Sequence, residues 1–464
     1  MDSDTICAVA TGDGMTAIGV IRVSGAAAIL TVEKVFVSAV AGKRLSEQRT
    51  RTLHVGNIAY QGETIDEVVV AIFRGPHSYT GEDVVEISCH GSRIVKRRIL
   101  EALTHSGARL ARAGEFTQRA FLNGRMDLSQ AEAVADLIES SSDAQRRIAL
   151  TQLKGGISKK LKELRGRLVE LSSLLELELD FSEEDVEFAD RKELLQLVET
   201  IIETVGRLTE TFKTGNAIKE GVPVAIVGAP NVGKSTLLNA LIGEEKAIVS
   251  DIAGTTRDTI EDVMTYDGIM FRFIDTAGIR QSADTVEKMG IQRTYGQIEK
   301  ARVILVVADA TKGKESVETV VREVVEKSDR RWQKVVIVAN KTDVAAAEWI
   351  NGDWKETVDA DAVIRISAKQ GNGLKELKEK IVDLIEARQS DDGEVLVSNA
   401  RHYEALVKSR ESLERVREGL QAGISGELVA IDLHRATDSL GTITGEVTNH
   451  DVLKNIFSHF CIGK

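Results

Sequence analysis

Proline is nearly absent from this 464-residue chain, with three residues (Pro76, Pro223 and Pro230) against about 23 at ordinary usage of ~5%. That scarcity suits long uninterrupted helices. Cysteine is just as rare. Cys7, Cys89 and Cys461 are far apart and odd in number, which excludes a disulfide framework and a zinc site built from cysteines alone. A reducing cytoplasm is the compartment this usage leads us to expect. No run of ~18 apolar residues occurs, so no membrane-spanning helix is expected. The first residues, Met1 to Thr5, carry two acids and no base, unlike a secretory signal. Basic excess is missing too. Sixty basic residues face 72 acidic ones, for a net charge of −12. Any nucleic-acid contact must therefore come from a local patch or from a partner.

What is present reads as three textures, in line with about three domains for a chain of this length. Residues 1–120 mix loops with strand-like runs at Ile18–Val23, Glu67–Phe73 and Val84–Ser88. The continuous apolar run Val68 to Ile72 predicts a buried strand, and the whole an α+β domain. From 121 to 217 the pattern turns helical. Leu161, Leu164, Leu168, Leu171 and Leu175, then Leu194, Val198, Ile201, Val205 and Leu208, repeat at three and four residues, as bundle-packing faces do. From 218 to 388 strand-like runs (Val222–Val227, Met270–Ile274, Val303–Ala308, Val335–Ala339, Ala362–Ile366) alternate with helical stretches, the signature of a parallel α/β sheet. Residues 389–464 are helical again, with Leu406, Leu413, Val416 and Leu420 on one face. The simplest organisation inserts the α/β domain into a helical domain made of 121–217 and 389–464, with Ser390–Gly393 as the exit linker.

The chemistry concentrates in the α/β region. Residues 228–235 read Gly-Ala-Pro-Asn-Val-Gly-Lys-Ser, directly after an apolar strand and before a helix-compatible run that starts at Thr236. This is a phosphate-binding loop in its required context. Gly228 and Gly233 let amides turn inward, Lys234 faces the β and γ phosphates, and the Ser235 hydroxyl is a Mg²⁺ ligand. Asp275-Thr276-Ala277-Gly278 ends another strand, where an acid holds Mg²⁺ through water and a glycine amide meets the γ-phosphate. Asn340-Lys341-Thr342-Asp343 follows a third. Its aspartate accepts from the paired N1 and N2 donors of guanine, which adenine lacks. Ser367-Ala368-Lys369 matches the loop that backs the guanine. In order, each after a strand, these motifs define a GTP-binding domain. Ile279 follows Gly278 where Ras-like GTPases carry a water-orienting Gln, so another group must serve. Arg280, Asp284, Glu287 and Lys288 are the candidates. The run Gly254-Thr255-Thr256-Arg257-Asp258 has the position of a first switch loop, with a Thr able to complete Mg²⁺ coordination.

The combination resembles the MnmE (TrmE) family of tRNA modification GTPases along the whole chain. The carriers are the phosphate loop with Asn231, the run Ile248 to Asp258 that includes Ser250, Asp251, Ile252 and Ala253, and the Asp275–Gly278 element. Gly114-Glu115-Phe116-Thr117, the run Arg119 to Arg125, and the ending Cys461-Ile462-Gly463-Lys464 add to it. The resemblance implies potassium-dependent GTP hydrolysis, with K⁺ in place of an arginine finger and held by Asn231, Ser250, Ile252 and Thr255. It implies Mg²⁺ on Ser235 and Thr256, with Val232 and Thr236 completing the loop around the nucleotide. It makes Glu287 the catalytic glutamate, acting through water.

The resemblance also implies that the N-terminal domain binds 5-formyltetrahydrofolate or a related tetrahydrofolate through Arg22, Glu86, Arg125 and Lys464. Cys461 would lie near that pocket with a role in modification chemistry, and Cys89-His90-Gly91 would form a loop nearby. A carboxylate suits the pterin donors and cations suit a glutamyl tail. A homodimer is implied, working with the flavoprotein MnmG to place an aminomethyl-type group on C5 of the wobble uridine of certain tRNAs. Two other readings stay open at this point. A ribosome-assembly GTPase would carry a basic RNA-binding appendage and bind no folate. A folate-dependent one-carbon transferase with regulatory GTP would need no flavoprotein.

Overall fold

The computed structural model describes residues 4–12, 14–180, 191–243, 262–274, 296–344, 358–386, 395–458, 460 and 462–463. Contacts divide the chain into two compact units, one of Met1–Ala135, Gln152–Phe188 and Gly426–Lys464, the other of Asp136–Thr151 and Ala189–Ser425. Ser390–Gly393 lies outside the described residues.

The first unit is built on seven strands: β1 (Thr5–Val9), β2 (Ile18–Ser24), β3 (Phe36–Ser38), β4 (Thr52–Tyr60), β5 (Glu63–Phe73), β6 (Val84–His90) and β7 (Ala108–Leu110). Their spatial order is β3-β4-β5-β6-β2-β1-β7, antiparallel except for the parallel β1–β7 pair. Gln61 and Gly62, both at positive φ, form the two-residue turn that joins β4 to β5, the kind whose twist matches paired strands. One face is covered by the Arg93–His105 helix, whose Ile99, Ala102 and Leu103 pack against Ile21, Val70, Ile72, Val85 and Ile87. The other face is covered over β1 by Ala111 and Phe116 and is open over β4 and β5. β5 therefore alternates instead of being buried throughout. Val68, Val70 and Ile72 are inside, while Val69 is exposed. The continuous apolar run predicted a strand buried on both faces, but an antiparallel sheet covered on one side demands period two.

In the same unit the Gly156–Asp180 helix packs along Gly426–Thr444. Leu161, Leu164, Leu168 and Leu171 are buried, as are Val429, Leu433, Ala436, Leu440 and Ile443. Arg165 ties the pair by donating from Nε to the Thr437 carbonyl at 3.3 Å and by an ion pair with Glu446.

The second unit holds six strands: β8 (Val222–Val227), β9 (Asp262–Tyr266), β10 (Ile269–Phe273), β11 (Val303–Asp309), β12 (Lys334–Asn340) and β13 (Ala362–Arg365). The order is β13-β12-β11-β8-β10-β9, parallel except for the β9–β10 hairpin. That hairpin turns on Asp267-Gly268, both at positive φ. Every residue of β8 and β11 is buried, because helices cover both faces. Leu237, Leu238, Leu241, Leu377 and Ile381 pack on one side and Ile298, Val317, Val321 and Val324 on the other. The predicted strands lie within a residue or two of the observed ones. The Arg191–Glu220 helix pairs with Ala400–Gln421, burying Leu194, Val198, Ile201, Val205, Leu406, Leu413 and Val416. The architecture is multidomain: an α+β sheet domain, long helix pairs, and an inserted α/β domain of Ras-like type. Among the described residues no helix is long and apolar enough to cross a membrane.

Candidate nucleotide site and a second polar site

The candidate nucleotide site lies at the carboxyl ends of the parallel strands, where β8 sends the chain to β10 on one side and β11 lies on the other. This is the switch point at which open α/β sheets bind ligands. Two glycines shape the loop that leaves β8. Gly228 has φ +149°, and a Cβ there would stand 2.3 Å from the Val307 carbonyl oxygen of β11. Gly233 has φ +98°, and its Cβ would stand 2.3 Å from Asn340 Nδ2. No side chain fits either place. Asn231 between them also takes a left-handed φ of 63°, which Asn tolerates better than most residues. Lys234 opens the Lys234–Gly243 helix, and its Nζ donates to the carbonyls of Gly228 and Ala229, both at 2.8 Å. Burial lowers its pKa, since desolvation disfavours the cation. Ser235 sits on the first turn of that helix and Thr236 follows it, so amides and helix dipole face the same point.

The guanine motifs are joined to this loop through one buried side chain. Asn340 ends β12; its Nδ2 donates to the Val232 carbonyl at 2.8 Å, and its Oδ1 accepts from the Ala368 amide at 3.0 Å. Lys341, at φ 68°, donates from Nζ to the Asn231 carbonyl at 2.9 Å and to Asp309 Oδ2 at 2.7 Å. Asp343 accepts from the Ser367 hydroxyl at 2.8 Å. Thr342 Oγ1 donates to the Ile366 carbonyl at 2.9 Å. Val232, Lys341, Asp343, Ser367 and Ala368 are thus brought together, with Lys369 exposed at the rim. Asp309 was missed by sequence reasoning. Burial would raise its carboxyl, but the Lys341 ammonium and the Thr311 hydroxyl and amide hold it down at about 2. The signal was available: an acid at a strand end with a threonine two residues on, an Asx turn.

Ser250 to Thr256, Asp275 to Gly278, Arg280, Asp284, Glu287 and Lys288 lie outside the described residues, as do Cys461 and Lys464.

A second polar site lies on the first unit's sheet. Arg22 and Glu86 are register partners across β2 and β6, paired through Arg22 Nε to Glu86 Oε1 at 2.9 Å. The Arg22 guanidinium lies over the Tyr79 ring at 4.9 Å and the Phe116 ring at 5.6 Å, and donates to the Gly463 carbonyl at 3.4 Å. Gly463 has φ +99°, and a Cβ there would stand 2.1 Å from the Val9 carbonyl oxygen. Ile462 bridges to Ala113. Arg125 donates from Nε to the Ser78 carbonyl at 3.2 Å, next to Tyr79. Arg22 and Arg125 therefore both touch one short segment, Ser78–Tyr79, with Glu86 held on Arg22. Tyr79 and Phe116 were not anticipated; their spacing from Arg22 gives no hint in sequence. Behind them Glu115 accepts from Arg109, Arg119 and the Arg112 amide, and Arg119 reaches Glu82 at 3.1 Å. Burial opposes ionisation of Glu115, and the two arginines outweigh it, leaving the carboxyl at about 2. Cys89 and His90 do not form a loop. They end β6, where Cys89 is buried and donates to the Gly19 carbonyl and His90 pairs with Asp66. Pairing with β2 as far as Ile18–His90 keeps the chain extended up to His90.

The family description for the TrmE N-terminus matches residues 5–125, and that for the MnmE helical domain matches residues 128–461. A tRNA modification GTPase MnmE from Flavobacterium johnsoniae is 48% identical over 466 residues, covering all of both chains. Another, from Bacteroides fragilis strain ATCC 25285, is 49% identical over 468 residues, again covering both completely. The chain belongs to the MnmE family of tRNA modification GTPases. Among solved structures, the G domain of the T. maritima FeoB iron transporter is 30% identical, covering 35% of this chain and 98% of that one, with a TM-score of 0.26. As an MnmE-family tRNA modification GTPase the chain has GTP as its nucleotide.

Proposed function

We propose that this tRNA modification GTPase hydrolyses GTP in a potassium-dependent manner and, with the flavoprotein MnmG, adds an aminomethyl or carboxymethylaminomethyl group to C5 of the wobble uridine of certain tRNAs. Its organisation is an N-terminal domain of residues 1–120, a helical domain of 121–217 with 389–464, and a G domain of 218–388. The observation that carries the nucleotide reading is the clasp of Asn340 on Val232 and Ala368. It fixes the phosphate loop, the guanine-reading Asp343 and the Ser367–Lys369 loop as one unit. Asp343 reads guanine N1 and N2, while loop amides and Lys234 face the phosphates.

The donor set fits hard cations. The Ser235 hydroxyl, on the first helical turn, together with Thr256 holds Mg²⁺, which when bound neutralises phosphate charge. Asn231 is exposed and left-handed in backbone, with an amide oxygen suited to K⁺. Ser250, Ile252 and Thr255 complete that shell, and Glu287 orients the attacking water. The N-terminal site of Arg22, Glu86 and Arg125, which Lys464 would complete, suits a tetrahydrofolate. Glu86 pairs with one edge of Arg22 and keeps acceptor capacity for pterin donors, and the cations suit a glutamyl tail. A bound tetrahydrofolate supplies the carbon, with Cys461 near it. A homodimer is supported by the open face of the N-terminal sheet, where Val37, Leu53, Val55 and Val69 are exposed together.

The test is GTP hydrolysis in K⁺ against Na⁺ at matched ionic strength, with Asn231→Ala and Glu287→Ala alongside. Strong K⁺ stimulation that Asn231→Ala removes, and turnover that Glu287→Ala removes, are expected. Equal rates in both salts would eliminate the K⁺ site.

A further inference from the structure

Within this acidic chain the Gly156–Asp180 helix carries the opposite charge on its first half. From Lys154 to Arg167 there are six basic residues and one acid, Glu163; from Leu168 to Asp180 there are four acids and no base. The Gly156–Asp180 helix therefore has no acid in its first turn and no base in its last. This is the reverse of what the macrodipole favours, since cations are destabilised near a helix N-terminus. Bundle packing does not require it, because the buried stripe is Leu161, Leu164, Leu168 and Leu171. Arg165 is used internally, against Thr437 and Glu446. The others face outward. Lys154, Lys159 and Lys162 are exposed and make no ion pair among the described residues. Lys160 and Arg167 share the single Glu163, at 3.4 and 2.8 Å.

Gly166 gives a second, independent sign. It is exposed in mid-helix, and a Cβ there would have nothing within 4 Å. Its φ is helical, so neither packing nor backbone geometry calls for glycine, and glycine disfavours the helix at such a position. On a helical wheel it lies between Lys162 on one side and Lys159 on the other, with Glu163 and then Arg167 beyond Lys159. A bare backbone flanked by cations admits the close approach of a bulky anion.

We propose that the outward face formed by Lys159, Lys160, Lys162, Gly166 and Arg167 is a docking surface for the phosphodiester backbone of tRNA. Flexible ammonium groups are point charges that position a phosphate backbone without reading bases, so the contact is independent of sequence. The inference rests on the family's tRNA-modifying activity and adds where this chain itself touches RNA.

The test is fluorescence anisotropy of labelled tRNA with the full-length protein at 50 to 200 mM salt. Wild type is compared with Lys159→Gln, Lys160→Gln, Lys162→Gln and Arg167→Gln combined. Losing about four phosphate contacts should flatten the salt dependence, so that wild type loses about a hundredfold more affinity than the variant across that range. GTP hydrolysis without tRNA should be unchanged. Gly166→Gln keeps every charge and favours the helix, so it remains informative if the combined variant fails to fold. It should weaken tRNA binding with an unaltered salt slope. Equal slopes for wild type and a folded combined variant overturn the proposal, as does wild-type binding by Gly166→Gln. Displacement of tRNA by polyglutamate at matched charge overturns it in favour of an acidic protein partner. A wild type that binds no tRNA at 50 mM salt overturns it and shows that tRNA contact in this family member belongs to another chain. If wild type binds tRNA and the variants bind equally well, only the surface is wrong.

Discussion

Asn340 serves two loops with one amide, and Asp343, three residues on, is the proposed reader of the base. The amide nitrogen and oxygen of Asn340 span from Val232 to Ala368, so its replacement by Asp would leave Val232 without its donor. The four-residue motif names both residues in sequence. It does not say that Asn340 holds a loop 108 positions away, because that depends on the β12-β11-β8 order of the sheet. Asp309 was hidden for the same reason; its partner Lys341 lies 32 residues on. Asp343 has one oxygen engaged by Ser367, which orients the carboxylate. Asp343→Asn replaces an acceptor by an amide that repels the guanine N1 and N2 donors. GTP affinity should fall by about 3 kcal/mol, roughly a hundredfold, for two charged hydrogen bonds. Xanthosine triphosphate has a carbonyl at C2, so it should bind this variant better than GTP does. Equilibrium titration with the two fluorescent nucleotides checks the exchange; unchanged preference for GTP would remove Asp343 from the base.

At the level of elements, the parallel strands were legible because burial on both faces leaves continuous apolar runs, as in β8, β11 and β12. The leucine repeats of 161–171 and 194–208 located helix faces for the same physical reason. β4 was harder: Thr-Leu-His-Val-Gly-Asn-Ile-Ala-Tyr mixes polar and apolar positions on a sheet covered on one side. Its exposed Leu53 and Val55 look like core residues in sequence and are not. Arg22 and Glu86 were found only by resemblance, since pairing across 64 residues requires the β2–β6 register. The open sheet face carries its own consequence. Leu53→Glu with Val55→Glu removes apolar area that is already exposed in the single chain, so the fold should persist. An interface burying that face should not. Light scattering should report a dimer for wild type and a monomer for the variant, with an unchanged thermal midpoint. A variant that stays dimeric would exclude this face.

Across the whole molecule, each unit contains a carboxylate held near 2 by cations, Glu115 in the first and Asp309 in the second. The ordinary values are 4.5 and 3.8. Both folded pKa values are depressed, so between the ordinary and folded values the unfolded chain binds more protons than the folded one. The stabilisation is complete above pH ~4.5 and is lost as pH falls toward about 2. For Glu115, whose side chain is 9% exposed, the linked stability is about 3 kcal/mol. Asp309 contributes less, because its ordinary value is lower. The Glu115 network also braces Arg119 and Glu82 behind the Arg22 pocket, so loss of the charge should loosen that pocket as well as the fold. Urea unfolding followed by circular dichroism should give a midpoint that is steady from pH 7 to 5 and drops steeply between pH 4.5 and 2. Glu115→Gln should be less stable at pH 7, since Arg109 and Arg119 lose their charged partner, and its midpoint should fall less over the acid range. Parallel acid limbs for the two proteins would mean that the Glu115 carboxylate is not what the first unit loses on acidification.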